Sequence, residues 1–119
     1  MKDLKLAESD YRFMEVIWDN EPLSSMELVR LCGERLGWKK STVFTMLRKM
    51  CDKGLAENNN TVVTAAVRRE EVQSSQSDYV INQTFHGSLP RFLAAFLRTR
   101  PLSKAEADEL RKLIDEYEE

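Results

Sequence analysis

Lys39-Lys40-Ser41-Thr42-Val43-Phe44-Thr45-Met46-Leu47-Arg48-Lys49-Met50, KKSTVFTMLRKM, places Val43, Met46, Leu47 and Met50 at i, i+3, i+4 and i+7. That spacing gathers four apolar side chains on one face of a helix. At about 100° per residue, the centre of the opposite face falls on Ser41, Thr45, Arg48 and Asp52. Thr42 and Lys49 flank it on one side and Phe44 on the other. Lys39–Lys53 holds five bases (Lys39, Lys40, Arg48, Lys49, Lys53) against Asp52 alone, in a chain whose net charge is −2. The final helical stretch, Ser103–Glu119, reverses the balance with three bases and seven acids. Charge is therefore segregated along the chain, and the near-neutral total conceals it.

Working outward, the segment before this helix is a second one. Ser24-Ser25-Met26-Glu27 matches the S-x-x-E box that satisfies orphan amides at a helix start. The helix it opens runs to about Leu36 and is expected to bury Met26, Leu28, Leu31 and Cys32. Gly37 suits the left-handed residue that closes it. A first helix covers ESDYRFMEVIWDN, with Tyr11, Met14, Ile17 and Trp18 on its apolar face. Only a few residues part the second and third helices, which is a helix-turn-helix layout. Gly54 then stops the third helix. Beyond it, LAENNNTVVTAAV is rich in Thr and Val, which strands tolerate better than helices. We expect a hairpin there, with Leu55–Glu57 paired to about Thr61–Val67 and the triplet Asn58-Asn59-Asn60 at the turn. A hairpin after a helix-turn-helix makes a winged helix.

The remaining chain is helical again. REEVQSSQSDYVINQTF carries Val72, Tyr79, Val80 and Phe85; SLPRFLAAFLRT carries Leu89, Phe92, Leu93, Phe96 and Leu97. Pro90 fits a first helical turn, where its missing amide costs little. Ser103-Lys104-Ala105-Glu106 repeats the capping box, and the last helix sets Ala107, Leu110, Leu113, Ile114 and Tyr117 on one face. The expected class is mostly α with a small β-hairpin: a winged helix-turn-helix domain over residues 1–69 and a helical dimerisation region over 70–119. The later helices carry more apolar surface than they can bury alone, and a symmetric dimer is the commonest closed solution. Its interface would draw on Tyr79, Phe92, Leu93, Phe96, Leu97, Leu110, Leu113 and Ile114.

The outward face of the third helix fits a major groove. Lys39 and Lys40 would meet phosphates at a helix start that already favours anions. Short hydroxyls at Ser41, Thr42 and Thr45 let the backbone approach base edges. Phe44 could touch a thymine methyl, Arg48 could reach guanine or phosphate, and Lys49 flanks them. Asn59 at the hairpin tip offers a neutral contact in place of Lys or Arg. Arg68 and Arg69 could serve phosphates instead or merely flank the next helix. A charged outer face can also be a plain solvated face, and a winged-helix adaptor that binds protein is the alternative reading.

Other classes have little support. A single histidine, His86, with no Gly-rich phosphate loop and no nucleophile elbow does not make an enzyme. Cys32 and Cys51 stand far apart without CxxC spacing, so free thiols are expected and no metal or cofactor. His86, beside Gly87, reads as a helix-end residue. Tyr11, Trp18 and Trp38 read as core aromatics, and Met14, Met26, Met46 and Met50 as core filler. MKDLKLAESD has neither the apolar core nor the cleavage site of a signal peptide, and no run approaches a membrane span, so a cytoplasmic location is expected.

Together these motifs resemble the penicillinase-repressor family of bacterial regulators, the BlaI/MecI/CopY type. LAESDYRFMEVIWDN resembles its opening helix and GWKKSTVFTMLRKMCDKGL its recognition segment, with the Thr-Val-x-Thr-x-Leu core and closing Lys-Gly. VRREEV is similar to the entry of its fourth helix and LSKAEADELRKLIDE to its terminal helix. The resemblance implies a dimeric winged-helix repressor on palindromic double-stranded operator DNA, with dimerisation through the C-terminal helices. The recognition role then falls on Ser41, Thr42, Phe44, Thr45 and Arg48, with Lys39 and Lys40 at the helix start. Phe44 departs from the Arg or Lys common in relatives, which leaves the operator sequence open. In β-lactam-responsive relatives a membrane sensor protease cuts between Asn and Phe in the penultimate helix; the aligned pair here is Ala95-Phe96, without the Asn. Copper-responsive relatives carry a cysteine-rich C-terminus, whereas this chain ends IDEYEE.

Overall fold

The structure, a computed structural model, describes residues 4–119. In chain order its elements are α1 Glu8–Asn20, β1 Leu23–Ser24, α2 Ser25–Leu36, α3 Lys40–Asp52, β2 Ala56–Asn59, β3 Val62–Ala65, α4 Arg69–Phe85, α5 Leu89–Leu97 and α6 Lys104–Tyr117. The chain forms two compact units, Met1–Asp78 and Tyr79–Glu119. This division by packing falls inside α4, whereas the sequence pattern changes near residue 70. The first turns of α4 are tied to the first unit. Val72 is fully buried there, the Gln73 amide donates to the Tyr11 hydroxyl at 3.2 Å, and the Gln76 amide donates to the Leu6 carbonyl at 3.2 Å.

In the first unit, α1 buries Phe13, Met14, Val16 and Ile17 against Leu28 and Cys32 of α2, Val43, Leu47 and Met50 of α3, and Leu55, Ala56, Val63 and Val67 around the sheet. Each large side chain so removed from water contributes about 1.5–3 kcal/mol. Tyr11, Trp18 and Trp38 border this core, half-buried. Trp18 meets Tyr11 edge-on at 5.5 Å and donates its indole N–H to the Val67 carbonyl at 3.0 Å. Ser24 caps α2 by accepting from the Glu27 amide at 3.0 Å, a contribution of about 1 kcal/mol. The Glu27 carboxylate turns to Arg30 instead of closing the box.

Met26 corrects one expectation: it is 55% exposed. The buried stripe of α2 is Ser25, Leu28 and Cys32, and Met26 lies about 200° around the helix from Leu28. The sheet corrects two more. Its order is β1-β3-β2, and β1, pairing Leu23 with Val63 and Ser24 with Val62, is too short to leave a periodic signal. The hairpin turn is Asn60-Thr61, not the asparagine triplet. Asn58 and Asn59 pair with Val63 and Val62 within the strands, in a register that sends Ala56 and Val63 into the core. Both turn residues take positive φ, 51° at Asn60 and 68° at Thr61, as a type I′ hairpin turn demands. That conformation is strained for β-branched Thr61. The Ser25 amide donates to its carbonyl at 2.8 Å, tying the turn to the start of α2.

In the second unit, Ser88 and Ser103 cap α5 and α6 through the Arg91 amide at 3.2 Å and the Glu106 amide at 3.1 Å. Pro90 stands in the first turn of α5. His86 and Gly87, both at positive φ, end α4. Neither α5 nor α6 buries a residue. Among the described residues, no helix is long and apolar enough to cross a membrane.

Candidate nucleic-acid interface

The local sequence sets how α3 is presented. Gly37, at φ 71°, ends α2 in the left-handed region. Its amide donates to the Gly33 carbonyl at 3.1 Å, the 5→1 bond of an αL cap, and the Trp38 amide reaches the Cys32 carbonyl at 3.3 Å. The Trp38 ring then stacks on Phe13 at 5.9 Å, fixing the turn against α1. Lys39 starts α3 without a side-chain cap, and the first turn holds no acid. In α2 and α6, by contrast, a serine oxygen fills that place. The free amides at the start of α3 and the positive end of its dipole are thus left open to an outside anion.

Ser41, Thr42, Thr45 and Arg48 are exposed, and Phe44 is half-buried. Ser41, Thr42, Thr45, Met46 and Lys49 form one strip of surface. On the other side, Phe44 and Arg48 face Glu57, Asn58 and Asn59 across a cleft between α3 and β2. The Lys40 ammonium lies 5.9 Å from the centre of the Phe44 ring, so the ring carries a cation on the way to its exposed edge. Among the described residues, no carboxylate pairs with Lys39, Lys40 or Arg48. The Lys39, Lys40, Ser41, Thr42, Thr45, Arg48 and Asn59 expected to act together thus lie on or beside one surface.

Lys49, expected on the DNA face, and Arg69, whose role was open between two readings, are both engaged elsewhere. Lys49 donates to both oxygens of Asp10, at 3.1 and 3.3 Å. Asp10 itself is buried. Arg69 pairs with Asp19 and lies over the Trp18 ring at 5.5 Å, so of the two readings of this arginine it anchors the start of α4. The Asp10 contact was missing from the sequence reading, although a signal existed: position 10 lies on the same helical stripe as Met14 and Ile17, and a carboxylate on an apolar stripe requires a partner. Glu57 was missed as well, and it sets a negative charge on the wing side of the cleft. The half-buried Cys51 thiol beside it is pushed above its ordinary value by burial and then by the charges of Asp52 and Glu57. Burial likewise pushes Cys32 up to about 11. Both are free thiols, and both stay protonated at neutral pH.

The second unit offers a different surface. Phe92, Leu93, Phe96 and Leu97 of α5 and Leu110 and Leu113 of α6 line one apolar groove, with Arg100 and Glu106 paired at 3.2 Å on its edge. Phe92 bridges Phe85 at 5.6 Å and Phe96 at 6.3 Å. Tyr79 and Ile114 lie outside the groove lining and are exposed; the Tyr79 hydroxyl accepts from the Gln83 amide at 3.0 Å.

Comparison with known proteins bears on both units. The family model described as penicillinase repressor matches residues 6–116. The methicillin resistance regulatory protein MecI of Staphylococcus aureus strain Mu50 is 20% identical over 118 residues, spanning 96% of each chain. MecI of Mammaliicoccus sciuri gives the same identity and coverage. The solution structure of the DNA-binding domain of the repressor BlaI covers 60% of this chain and 93% of its own, at 21% identity and a TM-score of 0.54. Bacillus licheniformis BlaI, solved as a monomeric form in complex with the blaP half-operator, has the same coverage and identity, at a TM-score of 0.50. These likenesses establish the winged-helix fold, and the match over most of the chain establishes more: this chain belongs to the penicillinase repressor family.

Proposed function

We propose that the protein is a DNA-binding transcriptional repressor that acts as a homodimer, each copy laying α3 in the major groove of one half of a palindromic operator. The observation that carries the reading is the outward face of α3, with an uncapped, acid-free first turn, exposed hydroxyls and an unpaired Arg48. The likeness of the fold to BlaI bound to a half-operator supports it. Lys39, Lys40 and the open amides take phosphates and set register. Ser41, Thr42 and Thr45 read base edges, Arg48 reads guanine, and the Phe44 edge meets a thymine methyl. Asn59 makes a neutral wing contact. Glu57 accepts from a cytosine amino group or excludes phosphate from that side. Tyr79, the α5–α6 groove and Ile114 are covered by the second copy, whose identical apolar surface is its natural complement.

Glu57 and the uncharged wing tip favour a protein-binding adaptor as the second reading. Gel retardation of the duplex upstream of the protein's own gene, across a salt series, separates the two. A repressor contacting several phosphates loses affinity linearly on logarithmic axes, with a slope near 0.9 per phosphate. A flat response, or no retardation at low salt, supports the adaptor. Arg48→Ala should cost specific binding about 1–3 kcal/mol and random-sequence binding less. Equal losses would assign Arg48 to phosphate.

A further inference from the structure

Asp10 stands in the first turn of α1 with its side chain 3% exposed. Lys49, in the last turn of α3, contacts both its oxygens, and Lys53 approaches to 3.9 Å. Lys53 caps the C-terminal end of α3 four residues on from Lys49, and so lies on the same side of the helix. The acid sits at the positive end of one helix dipole and the lysines at the negative end of the other, an arrangement both dipoles favour. A buried carboxylate without partners would be costly, so the pair holds the end of α3 against α1. Lys49 nevertheless borders the hydroxyl strip of Ser41, Thr42 and Thr45, and its side chain is 49% exposed. It therefore has two available partners, an internal carboxylate and an external phosphate.

We infer that Asp10 is a positioning residue for DNA reading: it holds the C-terminal end of α3 and withholds Lys49 from the phosphate backbone. Non-specific charge on the reading face is thereby limited to the helix start, and a larger share of affinity falls to the residues that read bases, Arg48 among them. This inference rests on the DNA-binding reading above.

The test measures binding of the full chain to a labelled mixed-sequence duplex by fluorescence anisotropy across a salt series, for wild type and three variants. Lys40→Met is the control for a phosphate contact and should flatten the slope by about 0.9. Lys49→Met should leave the slope unchanged, and Asp10→Asn, which releases Lys49, should steepen it by about 0.9. A Lys49→Met slope flattened like that of Lys40→Met overturns the inference. So does an unchanged slope in Asp10→Asn with native circular dichroism, which would leave Asp10 a purely structural role. Should Asp10→Asn fail to fold, Lys49→Met decides alone: an unchanged slope upholds the inference and a flattened one overturns it. A wild-type slope near zero would instead contradict DNA binding itself.

Discussion

The two units use similar helices to opposite ends. In the first, α1, α2 and α3 turn their apolar stripes inward and close a core with the sheet, so that what remains outside α3 is mostly hydroxyl and positive, with Asp52 at its far end. In the second, α5 and α6 are as clearly amphipathic but bury nothing, leaving Phe96, Leu97, Leu113, Ile114 and Tyr117 39–79% exposed. One unit is complete as a fold and presents polar chemistry. The other presents the apolar surface itself. Under the function proposed above, the first unit recognises a polyanion and the second an apolar partner.

Mutations at matched aromatic positions can break that contrast. Phe13→Ala, in the closed core, should destabilise the first unit by about 3–5 kcal/mol, measured by urea denaturation. Phe96→Ala should cost far less in the isolated chain and act on self-association instead; equal losses of stability would erase the distinction. A stronger challenge to the second unit is Leu113→Asp with Ile114→Asp. It should leave the fold of the first unit intact while dissociating the dimer in sedimentation. Two linked heads gain by avidity, so affinity for a full operator should fall about a hundredfold, with binding to a half-site unchanged.

Smaller effects sharpen the first unit. Thr61→Gly relieves a β-branched residue at φ 68° and should raise stability by about 1 kcal/mol, seen as a higher midpoint in thermal melts. Acidification should act through Asp19, whose carboxyl is held below its usual 3.8 by hydrogen bonds from Arg69 and then Arg35. A carboxyl with its folded value below the unfolded one contributes fully above 3.8 and loses that contribution as pH falls through the folded value. Asp19→Asn should therefore reduce the loss of stability in that acid range. The pair is partly exposed, so the change should be the smallest of the set.

Much of this was legible in the sequence, because periodicity and caps are local. The apolar spacing of α1 and α3, the serine boxes before α2 and α6, and Gly37 each act within a turn or two of themselves. What was not legible depended on partners distant along the chain. The strand β1, which pairs with β3 from some forty residues away, left no local signal, and the register of β2 on β3, with Ala56 and Val63 in the core, sets the turn at Asn60-Thr61 rather than at the asparagine triplet. Asp10 and Lys49 are 39 residues apart, and no local pattern joins them. Lys49 consequently read as one more base on a basic helix, when its nearest charge is inside the protein. Met26 is the exception, a local miss: its two-residue offset from Leu28 turns it outward on the helix.

The account stands on one protein carrying two such surfaces that act together. Sedimentation equilibrium of the full chain, alone and with the duplex upstream of its own gene, tests this most directly. The account predicts a dimer at micromolar concentration and a complex of two chains per duplex. A monomer in free solution that binds one copy per duplex, or no complex at low salt, would contradict it.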